Sequence, residues 1–299
     1  MGCIRKKIEL IITEELGKAN IHIPWDMREI HALPNSDIVI EQTSSNGILS
    51  EGLIEHLFPA IRDPIELAHF TKIDNLKSIL TTGELRLYTI LKRLNEQEFK
   101  PFAEAHRLNG YLDNGNGKPY YMTLMEGLFY SSFTKVMPSN EQYMWNIFAA
   151  GRTGVKIVFK VTPILNRVEL RPVFYHSQAT DPITVLKNLS DRIFNDCGRH
   201  FIMKGISRIG AFYLPLGLGL EMEEEKRLLI KSYGSGPAFD MIIGTGDNAY
   251  IPLKIGPGQN NFCEIEISEI QIGSYGDKSD LEKVLAQVGR DDIPVSIFN

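Results

Sequence analysis

The sequence predicts an α+β fold, because helix-like and strand-like segments follow one another without the strict alternation of a parallel doubly wound sheet. Two segments, GVKIVFKVTP at residues 154–163 and CEIEISEIQIGSYG at residues 263–276, have the apolar β-branched pattern of buried strands. Other segments repeat apolar residues at helical spacing. The 299-residue chain is 43% hydrophobic and 23% charged, which is typical of a globular protein with a full core.

The first 60 residues are predicted to form an N-terminal extension, followed by one main domain over residues 61–299. A helix is predicted over residues 4–18, ending near Gly17, and its apolar side consists of Ile4, Ile8, Ile11, Ile12 and Leu16. IHIPW at residues 21–25 and DIVIEQT at residues 37–43 have the composition of short strands. Residues 49–61 are typical of a second helix.

The run IELAHFTKIDNLKSILTTGELRLY at residues 65–88 predicts a strand, a helix and a second strand. The helix is expected from Ile73 to Leu80, since Asp74 and Asn75 suit its first turn. Gly83 suits the left-handed residue that ends such a helix.

The remaining elements follow from the same patterns. Helices are predicted at residues 90–108, 141–151, 183–197 and 278–289, and strands at residues 154–163, 227–234 and 263–276, with a short strand at the end of the chain.

Charge and cysteine content exclude several classes of protein. The net charge of −5 argues against wholesale electrostatic capture of nucleic acid, for which LKRLNEQEFKPF and FIMKGISR are only faint local candidates. Cys3, Cys197 and Cys263 are odd in number and far apart, which excludes a disulfide framework and indicates a reducing, cytoplasmic compartment. No apolar run is long enough to cross a bilayer.

Common catalytic motifs are missing from the sequence. It contains no phosphate-binding GxxxxGK[ST], no GxGxxG between a strand and a helix, no HExxH and no GxSxG. We therefore expect no metal site, and two features are left as candidates: His69, at the end of an apolar strand, and the acidic stretch EMEEEKRLLI at residues 221–230.

The acidic stretch has two interpretations that depend on its periodicity. On a helix, Glu223 and Arg227 would form an ordinary surface pair. On a strand, Glu223, Glu225 and Arg227 would share one face, with alternate carboxylates roughly 7 Å apart. Carboxylates at such spacing recur where the C1 bond of a sugar is broken through an oxocarbenium-like transition state. The apolar LLI that follows favours the strand weakly, and on a strand Glu221 and Glu224 are expected to be solvated.

The order of motifs resembles the DUF2971 family over residues 66–299. HFTKIDNLKSILTTGELRLY matches the opening of the family, and FYSSFTK with MWNIFAAGRTGVKIVFKV matches its middle. Glu223, Glu225 and Arg227 match its late E-x-E-x-R signature, and ISEIQIGSYGDKSDLEKVL matches its end.

This family looks related to ADP-ribosyltransferases, so the resemblance implies a split β-sheet core flanked by helices and an NAD site. Glu225 would be the catalytic carboxylate, and Glu223 would orient the acceptor or take its proton. His69, supported by Thr71, would contact the adenosine-side ribose or phosphates of NAD. The other implied NAD-site residues are Ser131, Ser132 and Phe133, which would shape the nicotinamide pocket, and Arg227, expected as the counter-ion of Glu223 or Glu225.

The resemblance implies a mono-ADP-ribosyltransferase that uses NAD as substrate and acts as a toxin, effector or phage-defence component. Its acceptor would be a macromolecule, by default a protein, with RNA or DNA as alternatives. Two other hypotheses stay open: NAD glycohydrolysis, in which water replaces the acceptor, and a non-catalytic binding or regulatory module on the same scaffold.

Overall fold

The computed structural model describes residues 2–26, 30–32, 36–41, 48–91, 102, 104, 125, 127–164, 168–175, 184–214, 220–232 and 237–298. The chain is an α+β protein that divides into two compact units. Unit 1 comprises residues 1–59, 90–126 and 174–217, and unit 2 comprises residues 60–89, 127–173 and 218–299.

The described helices and strands are numbered in chain order. The helices are α1 (Gly2–Lys18), α2 (Ile48–Leu57), α3 (Ile73–Thr82), α4 (Glu141–Ile147), α5 (Thr184–Cys197), α6 (Ile206–Ala211), α7 (Pro237–Asp240) and α8 (Lys278–Gln287), with 3₁₀ turns at Leu220–Glu223 and Gly246–Asn248. The strands are β1 (Ile30–Ala32), β2 (Ile38–Glu41), β3 (Ile65–Thr71), β4 (Glu84–Thr89), β5 (Leu128–Phe133), β6 (Val155–Pro163), β7 (Glu169–Pro172), β8 (Phe174–Tyr175), β9 (His200–Ile202), β10 (Tyr213–Leu214), β11 (Lys226–Lys231), β12 (Tyr250–Lys254), β13 (Cys263–Ile272) and β14 (Val295–Ile297).

Unit 1 combines helices with short strands. Helix α1 packs against α5, and its predicted apolar side is buried at Ile8, Ile11, Ile12 and Leu16, whereas Ile4 is exposed. Strand β2 pairs antiparallel with β1 and parallel with β9, while β8 and β10 form a separate parallel pair.

The described strands of unit 2 form two sheets. One has the strand order β12–β4–β5–β11–β7 and is antiparallel throughout. The other has the order β14–β13–β6–β3, in which the β13–β14 pair is parallel. A β-bridge between Ala68 and Thr134 links the middle of β3 to the residue that follows β5, so the two sheets meet there.

The hydrophobic core of unit 2 contains side chains from both sheets and from α3 and α8. In β5, Phe129 and Phe133 belong to this core, so the alternation of side chains along a strand directs Tyr130 and Ser132 to the opposite face. In β11, Leu228 belongs to the core as well. The opposite face of this sheet is therefore the one on which polar residues of β5 and β11 meet.

Most local predictions agree with the structure. The strand–helix–strand run is β3, α3 and β4, and Gly83 ends α3 in the left-handed conformation with φ 63°. The strand predicted at residues 21–25 is wrong: residues 21–26 are neither helix nor strand, and Pro24 lacks the N–H that a ladder needs. Of the helix predicted at residues 90–108, the structure describes residues 90, 91, 102 and 104 alone.

The two units differ from the predicted division into residues 1–60 and 61–299. Unit 1 begins with residues 1–59, but residues 90–126 and 174–217 cluster with it rather than with unit 2. The chain thus leaves unit 2 twice between residues 60 and 218. As an assignment of domains, the predicted division stays a prediction.

Candidate functional site

The candidate site lies in unit 2, where the end of β5 pairs with the beginning of β11. These strands pair antiparallel in a register that sets Ser132 opposite Arg227. Residues directly opposite on adjacent strands direct their side chains to the same face of a sheet. Glu225, two residues before Arg227, is carried to that face as well, and the three side chains make contact.

Arg227 and Ser132 both bind the carboxylate of Glu225. The guanidinium of Arg227 donates from Nε to Oε1 at 2.9 Å and from Nη2 to Oε2 at 3.0 Å. The hydroxyl of Ser132 donates to Oε1. The backbone of Glu225 is fixed too, since its carbonyl accepts a hydrogen bond from Val173 N at 2.9 Å. Bidentate pairing of arginine with a carboxylate adds geometric specificity, so the carboxylate is held in one orientation.

His69 joins this group from β3. Its Nδ1 lies 2.9 Å from the carbonyl oxygen of Ser132. A carbonyl accepts hydrogen bonds and cannot donate them, so Nδ1 is the donor in this contact. The ring also packs edge-on against Phe133, with centroids 5.9 Å apart. Glu225, Arg227, Ser132 and His69 are called the Glu225 cluster below.

The Glu225 cluster is buried on one side and partly open on the other. The side chains of Glu225 and Arg227 are 6% and 3% exposed, whereas Ser132 and His69 are half-buried. The guanidinium carbon of Arg227 lies 5.1 Å from the centroid of the Tyr130 ring, a cation–π contact. A ligand would therefore reach the carboxylate from the side of Ser132 and His69.

A second acid–base pair with the same spacing lies on the neighbouring strand. Arg171 of β7 stands opposite Arg227 and donates from Nε to Glu169 Oε2 at 2.9 Å. Lys231 Nζ lies 3.3 Å from the other oxygen of Glu169. Each of the two facing guanidiniums thus has its own carboxylate, which offsets the repulsion expected of like charges placed directly opposite.

The structure distinguishes Ser131 from Ser132, which the sequence could not, because the two side chains lie on opposite faces of β5. Ser132 binds Glu225, but Ser131 lies on the core face of β5 and is buried. Phe133 also lies on the core face, where it packs edge-on against Phe159 at 5.9 Å as well as against His69. Roles of Ser131 and Phe133 at a nicotinamide pocket stay predictions, and their side chains face away from Glu225.

Thr71 lies at the end of β3, two residues after His69. Its hydroxyl accepts a hydrogen bond from Asn75 Nδ2 at 2.8 Å, which ties the strand to the first turn of α3. Thr71 also packs closely against Gly154, where a Cβ atom would come within 2.3 Å of the Thr71 carbonyl oxygen. A supporting role for Thr71 beneath His69 stays a prediction.

The acidic stretch is neither a helix nor a strand along its whole length. Strand β11 begins at Lys226, and Glu223 ends the 3₁₀ turn Leu220–Glu223. Glu224, between the turn and Glu225, has a left-handed backbone with φ 45°. The prediction that Glu223 shares a strand face with Glu225 and Arg227 is therefore wrong, because the chain turns at Glu224.

Glu224 was expected to be solvated, and the structure corrects this expectation. Its carboxylate forms an ion pair with Lys135 Nζ at 2.6 Å. It also accepts hydrogen bonds from Ser139 N at 2.9 Å and Ser139 Oγ at 3.0 Å. These contacts lower the pKa of Glu224 from 4.5 to about 2.

Glu223 lies near Tyr143 of α4. Burial raises the pKa of the Tyr143 phenol, and the negative charges of Glu223 and Glu221 raise it further. Tyr143, Tyr130, Lys135 and Ser139 were not predicted from the sequence. Period-2 counting back from Ser132 would have found Tyr130, but the others contact the acidic stretch across more than 70 residues of chain.

Neither a metal site nor a membrane-spanning helix is found among the described residues. No group of three or more His, Cys, Asp or Glu side chains there could hold a metal ion. None of the helices in that same part of the chain is both long and apolar enough to cross a membrane.

Comparison with known proteins identifies no relative: no family model, no curated protein and no solved structure matches the chain. The resemblance to the DUF2971 family, and every role that it implies, therefore stays a prediction.

Proposed function

We propose that the protein is an NAD-dependent mono-ADP-ribosyltransferase that modifies a macromolecular target, as a cytoplasmic toxin, effector or phage-defence component. The observation that carries the proposal is the Glu225 carboxylate, fixed by Arg227 and Ser132. His69, Ser132 and Glu225 are three of the residues that the family resemblance assigned to an NAD site, and Ser132 contacts both of the others.

The chemistry would need a fixed negative charge beside a sugar carbon. When the bond between C1 of the nicotinamide ribose and the ring nitrogen breaks, its electron pair leaves with neutral nicotinamide, and positive charge develops on the ribose. Glu225 would stabilise this charge, and a carboxylate already held in place does so without reorganising. The acceptor nucleophile then bonds to C1 and loses a proton, which Glu223 is proposed to accept.

The arrangement of sheets in unit 2 supports an ADP-ribosyltransferase-like split-sheet core. Two mainly antiparallel sheets share one apolar core and are linked by the Ala68–Thr134 bridge. That bridge lies one residue from His69 and two from Ser132, so the point where the sheets meet is also where the cluster assembles. NAD contacts by His69, Thr71, Ser131, Ser132, Phe133 and Arg227 belong to this proposal.

A protein acceptor is preferred to a nucleic acid. One of the faint basic candidates, FIMKGISR, contributes little positive charge to the surface, because Arg208 is buried and pairs with Glu51 at 3.1 Å. The other candidate, LKRLNEQEFKPF, lies almost entirely outside the described residues.

The proposal is tested by incubating the protein with labelled NAD and cell lysate. We expect label on a macromolecule, and we expect Glu225→Gln to lower labelling on the order of 10²–10³-fold. Glu264→Gln, an exposed glutamate in β13, is the matched control and should label normally. Free ADP-ribose without macromolecular label would indicate a glycohydrolase instead. If the wild type shows neither turnover nor NAD binding, the proposal is overturned in favour of a non-catalytic module.

A further inference from the structure

Glu224 has a backbone conformation that its residue type disfavours. Its φ of 45° lies in the left-handed region, which suits glycine because a Cβ atom crowds the following carbonyl there. A glutamate keeps such a conformation when its surroundings fix it. It stands directly between the 3₁₀ turn Leu220–Glu223 and Glu225, so its φ sets the direction in which the chain enters β11.

The side chain of Glu224 supplies the contacts that fix this conformation. Both carboxylate oxygens are used: Oε1 by Lys135 Nζ at 2.6 Å and Ser139 Oγ at 3.0 Å, and Oε2 by Ser139 N at 2.9 Å. Hydrogen bonds to an ionised carboxylate are among the strong ones. Lys135 and Ser139 both belong to the loop that connects β5 to α4.

The acidic turn, residues 220–224, is tied to that loop at a second point. Asn140, the residue before α4, donates from Nδ2 to Met222 Sδ at 3.1 Å. The next residue after the acidic turn is Glu225, which binds Ser132 at the end of β5. Three side chains before β11, those of Met222, Glu224 and Glu225, therefore contact the end of β5 or the loop that follows it.

We propose that Glu224 is a positioning residue, which clamps the acidic turn onto the β5–α4 loop. The clamp directs the carboxylate of Glu225 at Ser132, and it directs Glu223 towards Tyr143. The carboxylate of Glu224 binds Lys135 and Ser139 rather than Ser132 or Arg227, so Glu224 acts through its neighbours. The effect on catalysis rests on the proposed ADP-ribosyltransferase function, whereas the clamp itself does not.

Two substitutions at Glu224 separate the side chain from the backbone. Glu224→Gln removes the charge and keeps a residue that disfavours positive φ. Glu224→Gly removes the carboxylate but relieves the backbone, because glycine adopts this φ readily. Lys135→Met deletes the cation and Lys135→Arg retains it, while Glu264→Gln again serves as the exposed control.

Hydrogen exchange of residues 220–227 and the kinetics of nicotinamide release from NAD are the two measurements, with thermal unfolding to show that each variant folds. We expect faster exchange in Glu224→Gln, Glu224→Gly and Lys135→Met, and normal exchange in Lys135→Arg. We expect kcat to fall about 10- to 100-fold in the first three, with KM for NAD changed far less, because a small displacement of a catalytic group has this effect.

The outcomes distinguish the clamp from the proposed function. Unchanged exchange in Glu224→Gln, or full protection and activity in Glu224→Gly, would overturn the clamp, since the side chain would then be dispensable. Equal losses in kcat and in the affinity for NAD would overturn the positioning role. A wild type that releases no nicotinamide would overturn the proposed function, and the exchange data would still decide whether Glu224 holds the turn.

Discussion

Each unit of the protein contains a buried glutamate bound by a serine, and the two pairs differ in what surrounds them. In unit 1, Glu41 accepts from Ser50 Oγ and from the backbone N–H groups of Ser50 at 3.1 Å and Lys204 at 3.0 Å. Ser50 Oγ in turn accepts from Gly205 N at 2.9 Å. This carboxylate thus satisfies backbone donors at the start of α2 and just before α6, which is the work of a helix cap.

In unit 2, the carboxylate of Glu225 is bound by side chains instead. Its partners are the guanidinium of Arg227 and the hydroxyl of Ser132, and Ser132 is half-buried where Ser50 is fully buried. A serine–glutamate pair is therefore not by itself evidence of a site. A site is indicated where the pair has a counter-ion, partial access and a further titratable group, which here is His69.

The largest expected effect on stability comes from removing the counter-ion of the unit 2 pair. Arg227→Met would leave Glu225 buried without its cation, and breaking a buried ion pair in this way costs about 3–5 kcal/mol. Urea unfolding measures the loss through the fluorescence of Trp145, which lies in unit 2, in a Trp25→Phe background. Arg62→Met, at an exposed arginine of the same unit, is the control. A loss below about 1 kcal/mol would mean that Arg227 is not the main partner of Glu225.

Replacing the serine by alanine should affect the two pairs differently. Ser50→Ala leaves Gly205 N and Glu41 each short of a partner in a fully buried site, so we expect it to destabilise α2 by about 1–3 kcal/mol. Ser132→Ala should cost about 1 kcal/mol or less in stability, since this serine is half-buried, yet lower nicotinamide release. Hydrogen exchange of α2 and β5, with NAD turnover, measures both. The reverse ranking of stability losses would show that the Ser132 pair is the structural one.

The smallest expected effect concerns pH and the clamp at Glu224. A carboxylate whose folded pKa is lowered from 4.5 to about 2 contributes stability above pH 4.5 and loses that contribution as the pH falls through about 2. The wild type should therefore lose more stability than Glu224→Gln between these two pH values. The midpoint of urea unfolding measures this difference, and parallel pH profiles for the two proteins would contradict the clamp.

Local structure was predictable where local signals decide it. The run from β3 to β4 followed from strand composition, a favourable first turn and Gly83. The pairing of Glu225 with Arg227 also has a local basis, since alternate residues at a strand share a face. The sequence could not choose between Ser131 and Ser132, because that choice depends on which face of β5 meets the core.

Features that depend on distant segments were not predictable. Glu224 looked like one more surface carboxylate, and its partners Lys135 and Ser139 lie 89 and 85 residues earlier in the chain. Unit 1 is assembled from three separate stretches of chain, and no single stretch carries a local signal that it belongs with the other two. The sequence pattern does not predict the turn at Glu224 either, because residues with a Cβ atom rarely adopt positive φ.

Nicotinamide release from NAD tests the central claim most directly. It should be measured on the purified wild type, Glu225→Gln and Glu264→Gln in parallel, with NAD binding followed by thermal shift. We predict release by the wild type and Glu264→Gln, and release slower on the order of 10²–10³-fold by Glu225→Gln. Equal release by all three proteins, or no release and no NAD binding by any of them, would contradict the proposed role of Glu225.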